Sequence, residues 1–89
     1  MITADEIRHI IERYAKRDVW LELDDIYGLV KKYGHLDGED YDPAAPGSTS
    51  PKWERNVRNV LQRDKNHGHI DWERPGLYRV PSRYSSSPK

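Results

Sequence analysis

Between Ser50 and Val80 the chain changes its hydrophobic period once, from helical to alternating, with a Pro-Gly pair inside the alternating part. Few small folds accommodate that order. Trp53, Val57, Val60 and Leu61 recur at the spacing of one helix face, and Ser50 followed by Pro51 supplies an N-cap and a first helical residue. A helix is therefore expected from Pro51 to about Asn66, closing at Asn66-His67-Gly68. Next, Ile70 and Trp72 alternate with His69 and Asp71, and Tyr78 and Val80 flank Arg79. Pro75-Gly76 suits the central pair of a type II turn. The pattern predicts a helix followed by a β-hairpin.

The first half supplies what these elements pack on. Thr3 precedes Glu6 by three residues, as a capping box requires, and Ile7, Ile10, Ile11 and Tyr14 form one apolar stripe of a helix ending near Arg17-Asp18. Val19-Trp20-Leu21-Glu22-Leu23 reads as a brief strand. Asp24 or Asp25 is placed to cap a second helix, with Ile26, Leu29, Val30 and Tyr33 inward and Gly34 as its stop. Residues 35–49 show no period and are expected to form a long loop. Ser82–Lys89 is Ser-rich and reads as a tail or linker, so the expected division is a domain over 1–81 and a tail over 82–89. The fold class expected is mainly α with a small β-sheet: three helices, a short strand and a C-terminal β-hairpin wing, the layout of a winged helix-turn-helix. The short strand can cover one edge of the hairpin.

Composition narrows the function classes. A chain of 89 residues makes one small domain with a lean core. It has no Cys, which excludes disulfides and a Cys-based zinc site. No apolar run approaches the ~18 residues of a membrane span. Met1–Glu6 is acidic and helix-like, unlike a signal peptide, so a cytoplasmic location is expected. The net charge is zero but segregated. Residues 1–50 hold six basic and eleven acidic residues, whereas 51–89 hold nine and four. A phosphate-binding surface needs a local basic face, and the basic half contains the helix with the clearest pattern.

On that helix, at about 100° per residue, Trp53, Val57, Val60 and Leu61 define the inward side. Lys52, Arg55, Asn56, Asn59 and Arg63 fall on the outward side, and Glu54 and Asp64 lie away from its centre. Arg and Lys reach phosphates and guanine edges, and Asn matches the adenine edge in the major groove. The bland alternative is a solvated face, yet Asn is a poor helix former with nothing to add there. Ser50 at the helix start is a candidate phosphate donor, and Arg74 at the hairpin turn is a candidate groove or backbone contact. Trp53 stands on the boundary: its period points to the core, its first-turn position leaves room for a contact with DNA.

The run Pro51-Lys52-Trp53-Glu54-Arg55-Asn56-Val57-Arg58-Asn59-Val60-Leu61, then Gly68-His69-Ile70, then Pro75-Gly76-Leu77-Tyr78-Arg79-Val80, resembles the winged-helix domains attached to restriction endonucleases. The resemblance covers the third helix and the hairpin, and the first two helices by layout alone. It implies a module that binds double-stranded DNA, in some domains of the DpnI type by reading N6-methyladenine, and that is fused to a nuclease domain. Reading a methyl group needs an apolar surface, because N6-methylation removes the donor that Asn would use. One buried methyl is worth about 0.8 kcal/mol. Trp53 is the large ring near the start of the helix and so the candidate methyl contact.

No catalytic site, metal or cofactor is expected in this chain. Asn66-His67 and His69 lack the second half of an HNH motif, and two His make no metal site without a third ligand. A stand-alone winged-helix transcription regulator and a protein-interaction winged helix are the other readings. A long apolar dimer helix is absent from the pattern, which favours a monomer on its site.

Overall fold

Alternation in the C-terminal third produces a sheet whose third strand comes from the other end of the chain. The computed structural model describes residues 1–85. Three helices, α1 (Ala4–Tyr14), α2 (Leu23–Tyr33) and α3 (Lys52–Asn66), pack with three short strands, β1 (Trp20–Glu22), β2 (Asp71–Arg74) and β3 (Leu77–Arg79). The strands form one antiparallel sheet in the order β1-β3-β2. The domain is thus mainly helical with a small sheet. Among the described residues no helix is long and apolar enough to cross a membrane.

Register explains the outer face of the sheet. Trp20 on β1 and Asp71 on β2 both lie opposite Arg79 on β3. The Arg79 guanidinium lies 4.8 Å from the Trp20 ring centroid and donates to Asp71 Oδ2 at 3.0 Å. One planar cation thereby links all three strands, using the ring face and a carboxylate together. Pro75-Gly76 makes the hairpin turn, with Gly76 at φ 86 where a side chain would be strained. The Gly76 carbonyl accepts from Leu23 N–H at 2.8 Å, so the turn is fastened to the start of α2.

The inward stripes meet as their periods require. Ile7, Ile11, Ile26, Val30, Val57, Leu61 and Val80 are fully buried, and Ile10, Val60, Ile70 and Tyr78 join them. Tyr14 and Tyr33 end their stripes differently. At the C-terminal ends of α1 and α2 they remain 40% and 37% exposed and stack on each other, centroids 3.6 Å apart and rings parallel within 2°.

Several local expectations change. Helix α2 begins at Leu23, with Glu22 as N-cap, and the Asp25 carboxylate accepts from Glu22 N–H at 3.0 Å; Asp24 and Asp25 lie inside the first turn instead of capping it. Thr3 does cap α1, accepting from Glu6 N–H at 3.1 Å, but Glu6 turns its carboxylate to His35 N–H at 2.7 Å instead of completing a box. Gly34 ends α2 with an ordinary φ of −84. Its reason is space: a Cβ there would stand 2.6 Å from the Val30 carbonyl oxygen and 2.9 Å from Ile2 Cδ1.

The loop over 35–49 is built, not slack. A short 3-10 turn at Gly38–Tyr41 buries Asp40 completely, and its carboxylate accepts from Ile2 N–H at 3.0 Å and Asp37 N–H at 2.9 Å. Ala44 N–H to Ser50 O and Lys52 N–H to Asp42 O, each 2.8 Å, close the loop against the start of α3.

The tail expected from 82 onward begins inside the fold. Tyr84 is 5% exposed and belongs to the core. Arg17 donates to the carbonyls of Pro81 and Tyr84 at 3.0 Å each, and Asp18 accepts from the Ser82 amide and hydroxyl. Only 86–89 of the expected tail lie outside the described residues.

Candidate nucleic-acid interface

Helix α3 turns its apolar stripe inward and thereby sorts the candidate residues. Trp53, at 4% exposure, is in the core, its ring edge-on to Tyr27 with centroids 5.5 Å apart. The boundary position resolves inward because Val57, one turn on, is fully buried and Tyr27 closes over the ring. A direct contact of Trp53 with a methyl group in DNA therefore has no surface to use.

Ser50 does not cap α3. Pro51 occupies the N-cap position, and the Ser50 hydroxyl accepts from Arg58 Nη1 at 3.0 Å. Its backbone carbonyl is taken by Ala44. A proline at the cap leaves no side-chain acceptor for the first-turn N–H groups, and the hydroxyl serves the helix from outside instead. Arg55 is likewise occupied in part, donating from Nη1 to the Ala44 carbonyl at 3.0 Å and so bracing the preceding loop.

Four of the eight candidates stay available on one stripe. Lys52, Asn56, Asn59 and Arg63 follow at i, i+4, i+7 and i+11, which covers roughly 16 Å of helix axis. Among the described residues none of these side chains is engaged in a hydrogen bond or ion pair. Asn56, Asn59 and Arg63 open on a groove of about 240 Å³ that they share with Val60 of α3 and with Met1, Ile2, Ala4 and Arg8. Arg74, the last residue of β2, is exposed at the hairpin, on a different element, and its side chain has no partner among the described residues.

Charges of both signs border this surface. The acidic loop segment from Asp37 to Asp42 packs beside the start of α3, with Lys52 N–H bonded to the Asp42 carbonyl. Negative side chains thus stand near the first turn and on the Met1 side of the groove, where Asp37 pairs with the Met1 amino group at 2.7 Å, while Arg8, paired with Asp64, and Arg63 line the groove as cations.

Arg8 was not among the residues expected from sequence. It sits beside the Ile7 and Ile10 stripe of α1, and its Nε donates to Asp64 Oδ1 at 3.2 Å. Asp64 is buried, and its other oxygen accepts from the Tyr84 hydroxyl at 2.8 Å. Burial, followed by the Asp64 charge, pushes the Tyr84 hydroxyl above its ordinary pKa, so it remains a donor. The usable signal was Asp64 itself. It shares the inward side of α3 with Val57 and Val60, and a buried carboxylate demands a cation and donors.

Comparison with protein-family models, with curated proteins and with solved structures found no match for this chain.

Proposed function

We propose that the protein is a duplex-DNA-binding module of the winged helix-turn-helix type, with α3 as the helix that enters the major groove and the β2–β3 hairpin as a short wing. The observation that carries this reading is the stripe Lys52, Asn56, Asn59 and Arg63, polar side chains without a partner among the described residues, opposite an inner face that is apolar except for the paired Asp64. Cations supply phosphate attraction, and carboxamides supply paired donors and acceptors for base edges. The three helices followed by an antiparallel hairpin have the element order of that fold. Arg74 on the hairpin adds a second, separate contact in this reading.

The finer form of the proposal is a targeting module of a modification-dependent restriction endonuclease that reads N6-methyladenine. Its support is the resemblance in the third helix and hairpin. With Trp53 inward, the apolar surface next to Asn56 and Asn59 is that of Met1 and Ala4.

Binding of the chain to short duplexes carrying GATC, followed by fluorescence anisotropy from low to physiological salt, tests both levels. Affinity that falls steeply with salt supports DNA binding. Equal affinity for unmethylated, hemimethylated and fully methylated duplexes removes the methyl-reading form. No binding at low salt removes the DNA reading altogether.

A further inference from the structure

Arg8 belongs to α1, yet it lines the same groove as Asn56, Asn59 and Arg63. Its guanidinium is held from behind: Nε is on Asp64, and Asp64 is held in turn by the buried Tyr84. The side chain keeps 17% exposure, and among the described residues the other acid within ion-pair reach is Asp5, 3.9 Å from Nη1 and almost fully exposed. Among the described residues neither Nη group makes a hydrogen bond, and no buried side-chain nitrogen is left without a partner. The Nη groups therefore open to solvent.

We infer that Arg8 is a DNA-contacting residue, a fixed fork of N–H donors for acceptor atoms of the duplex, with Asp64 and Tyr84 as its positioning residues. This rests on the DNA-binding reading above. Asp64 offsets much of the Arg8 charge, so the contribution is geometric more than long-range. A guanidinium whose Nε is already engaged has less freedom to lose on binding than a free surface arginine. The remaining donors suit two acceptors side by side, either O6 and N7 of guanine or two oxygens of one phosphate.

The test uses the full chain, short duplexes of varied sequence and a salt series, with Arg63→Gln as the reference variant. Arg8→Gln is expected to weaken binding about tenfold. A phosphate contact appears as a salt slope shallower by about 0.9 with sequence preference kept; a guanine contact appears as an unchanged slope with preference lost at one G·C pair. Wild-type affinity, slope and preference in Arg8→Gln, with binding weakened in Arg63→Gln, overturns the inference and leaves the DNA reading standing. Wild-type behaviour of both variants removes both. Should Arg8→Gln fail to fold, NMR of the arginine side-chain N–H signals in the wild-type protein decides. Movement of the Arg8 signals on adding duplex upholds the inference, and still Arg8 signals while α3 amides move overturn it. Tyr84→Phe keeps the Arg8–Asp64 pair and is expected to weaken binding a few-fold while broadening the Arg8 signals. Unchanged affinity and signals in that variant overturn the positioning role.

Discussion

Arg58 on α3 reaches Tyr27 on α2, its Nη1 donating to the phenol oxygen at 2.9 Å while also holding Ser50 Oγ at 3.0 Å. One outward cation of α3 is thus spent on fastening two helices and a loop. It lies apart from the stripe that stays available. Tyr27→Phe keeps the edge contact with Trp53 and removes one hydrogen bond to a charged donor, a loss of about 1.5–3 kcal/mol less a discount for partial exposure. Urea unfolding of the two proteins measures it, and a difference near zero would show that water replaces the phenol at no cost.

Trp53 and Asn59 separate stability from binding. Trp53→Ala empties a core site and is expected to cost about 3–5 kcal/mol. Asn59→Ala removes no side-chain hydrogen bond among the described residues and should stay within about 0.5 kcal/mol of the wild type. In duplex titrations the order reverses: Asn59→Ala weakens binding in the folded protein. Denaturation and anisotropy on the same pair of variants check both halves.

Asp18 sits at φ 60, a left-handed conformation that Asn and Gly adopt more readily than Ala. Its carboxylate accepts from the Ser82 hydroxyl and amide, and these bonds hold its pKa below the ordinary carboxylate value. Asp18→Ala should be the least stable variant, since it suffers the strain and loses both bonds. Asp18→Gly should be intermediate and Asp18→Asn closest to wild type. A depressed folded pKa means that the stabilisation is complete above the unfolded value, about pH 4, and is lost as pH falls through the lower folded value. Thermal melts from pH 7 to pH 2 should show wild type losing this increment in acid and Asp18→Asn lacking it throughout.

Gly34→Ala is expected to destabilise by about 1–3 kcal/mol through overpacking, because the new methyl meets the Val30 carbonyl, which cannot swing aside as a side chain would. Pairing it with Ile2→Ala distinguishes the two neighbours. If relief at Ile2 restores the stability of Gly34→Ala, the side chain and not the carbonyl sets the limit.

Helix positions, the hairpin and the main core stripes were legible because Ile7/Ile10/Ile11, Ile26/Val30 and Val57/Val60/Leu61 carry one strong period each. Local chemistry was not, since it depends on partners distant in sequence. Ser50 has the profile of a cap, but Arg58 claims its hydroxyl. Asp40 resembles a solvated loop acid, but two backbone N–H groups converge on it. Tyr84 stands among serines with no periodic neighbour, and its burial rests on distant partners, the core cluster together with Asp64 and Arg17. In the candidate interface the polar stripe was readable and the direction of Trp53 was not, because a first-turn residue at the stripe's margin turns inward only when something covers it. Arg8 escaped notice for the same reason: its role is defined by Asp64, 56 residues away.

The pairing of β1 with β3 has a consequence for how the chain acquires its shape. Trp20, Leu21 and Glu22 find their backbone partners at Arg79, Tyr78 and Leu77. Loop closure over so long a separation is entropically costly and sets a slow, late step. During synthesis the first two helices leave the ribosome with an open strand edge between them. That edge is sealed only after residues 77–79 have emerged, and until then it is exposed to pairing with a wrong strand.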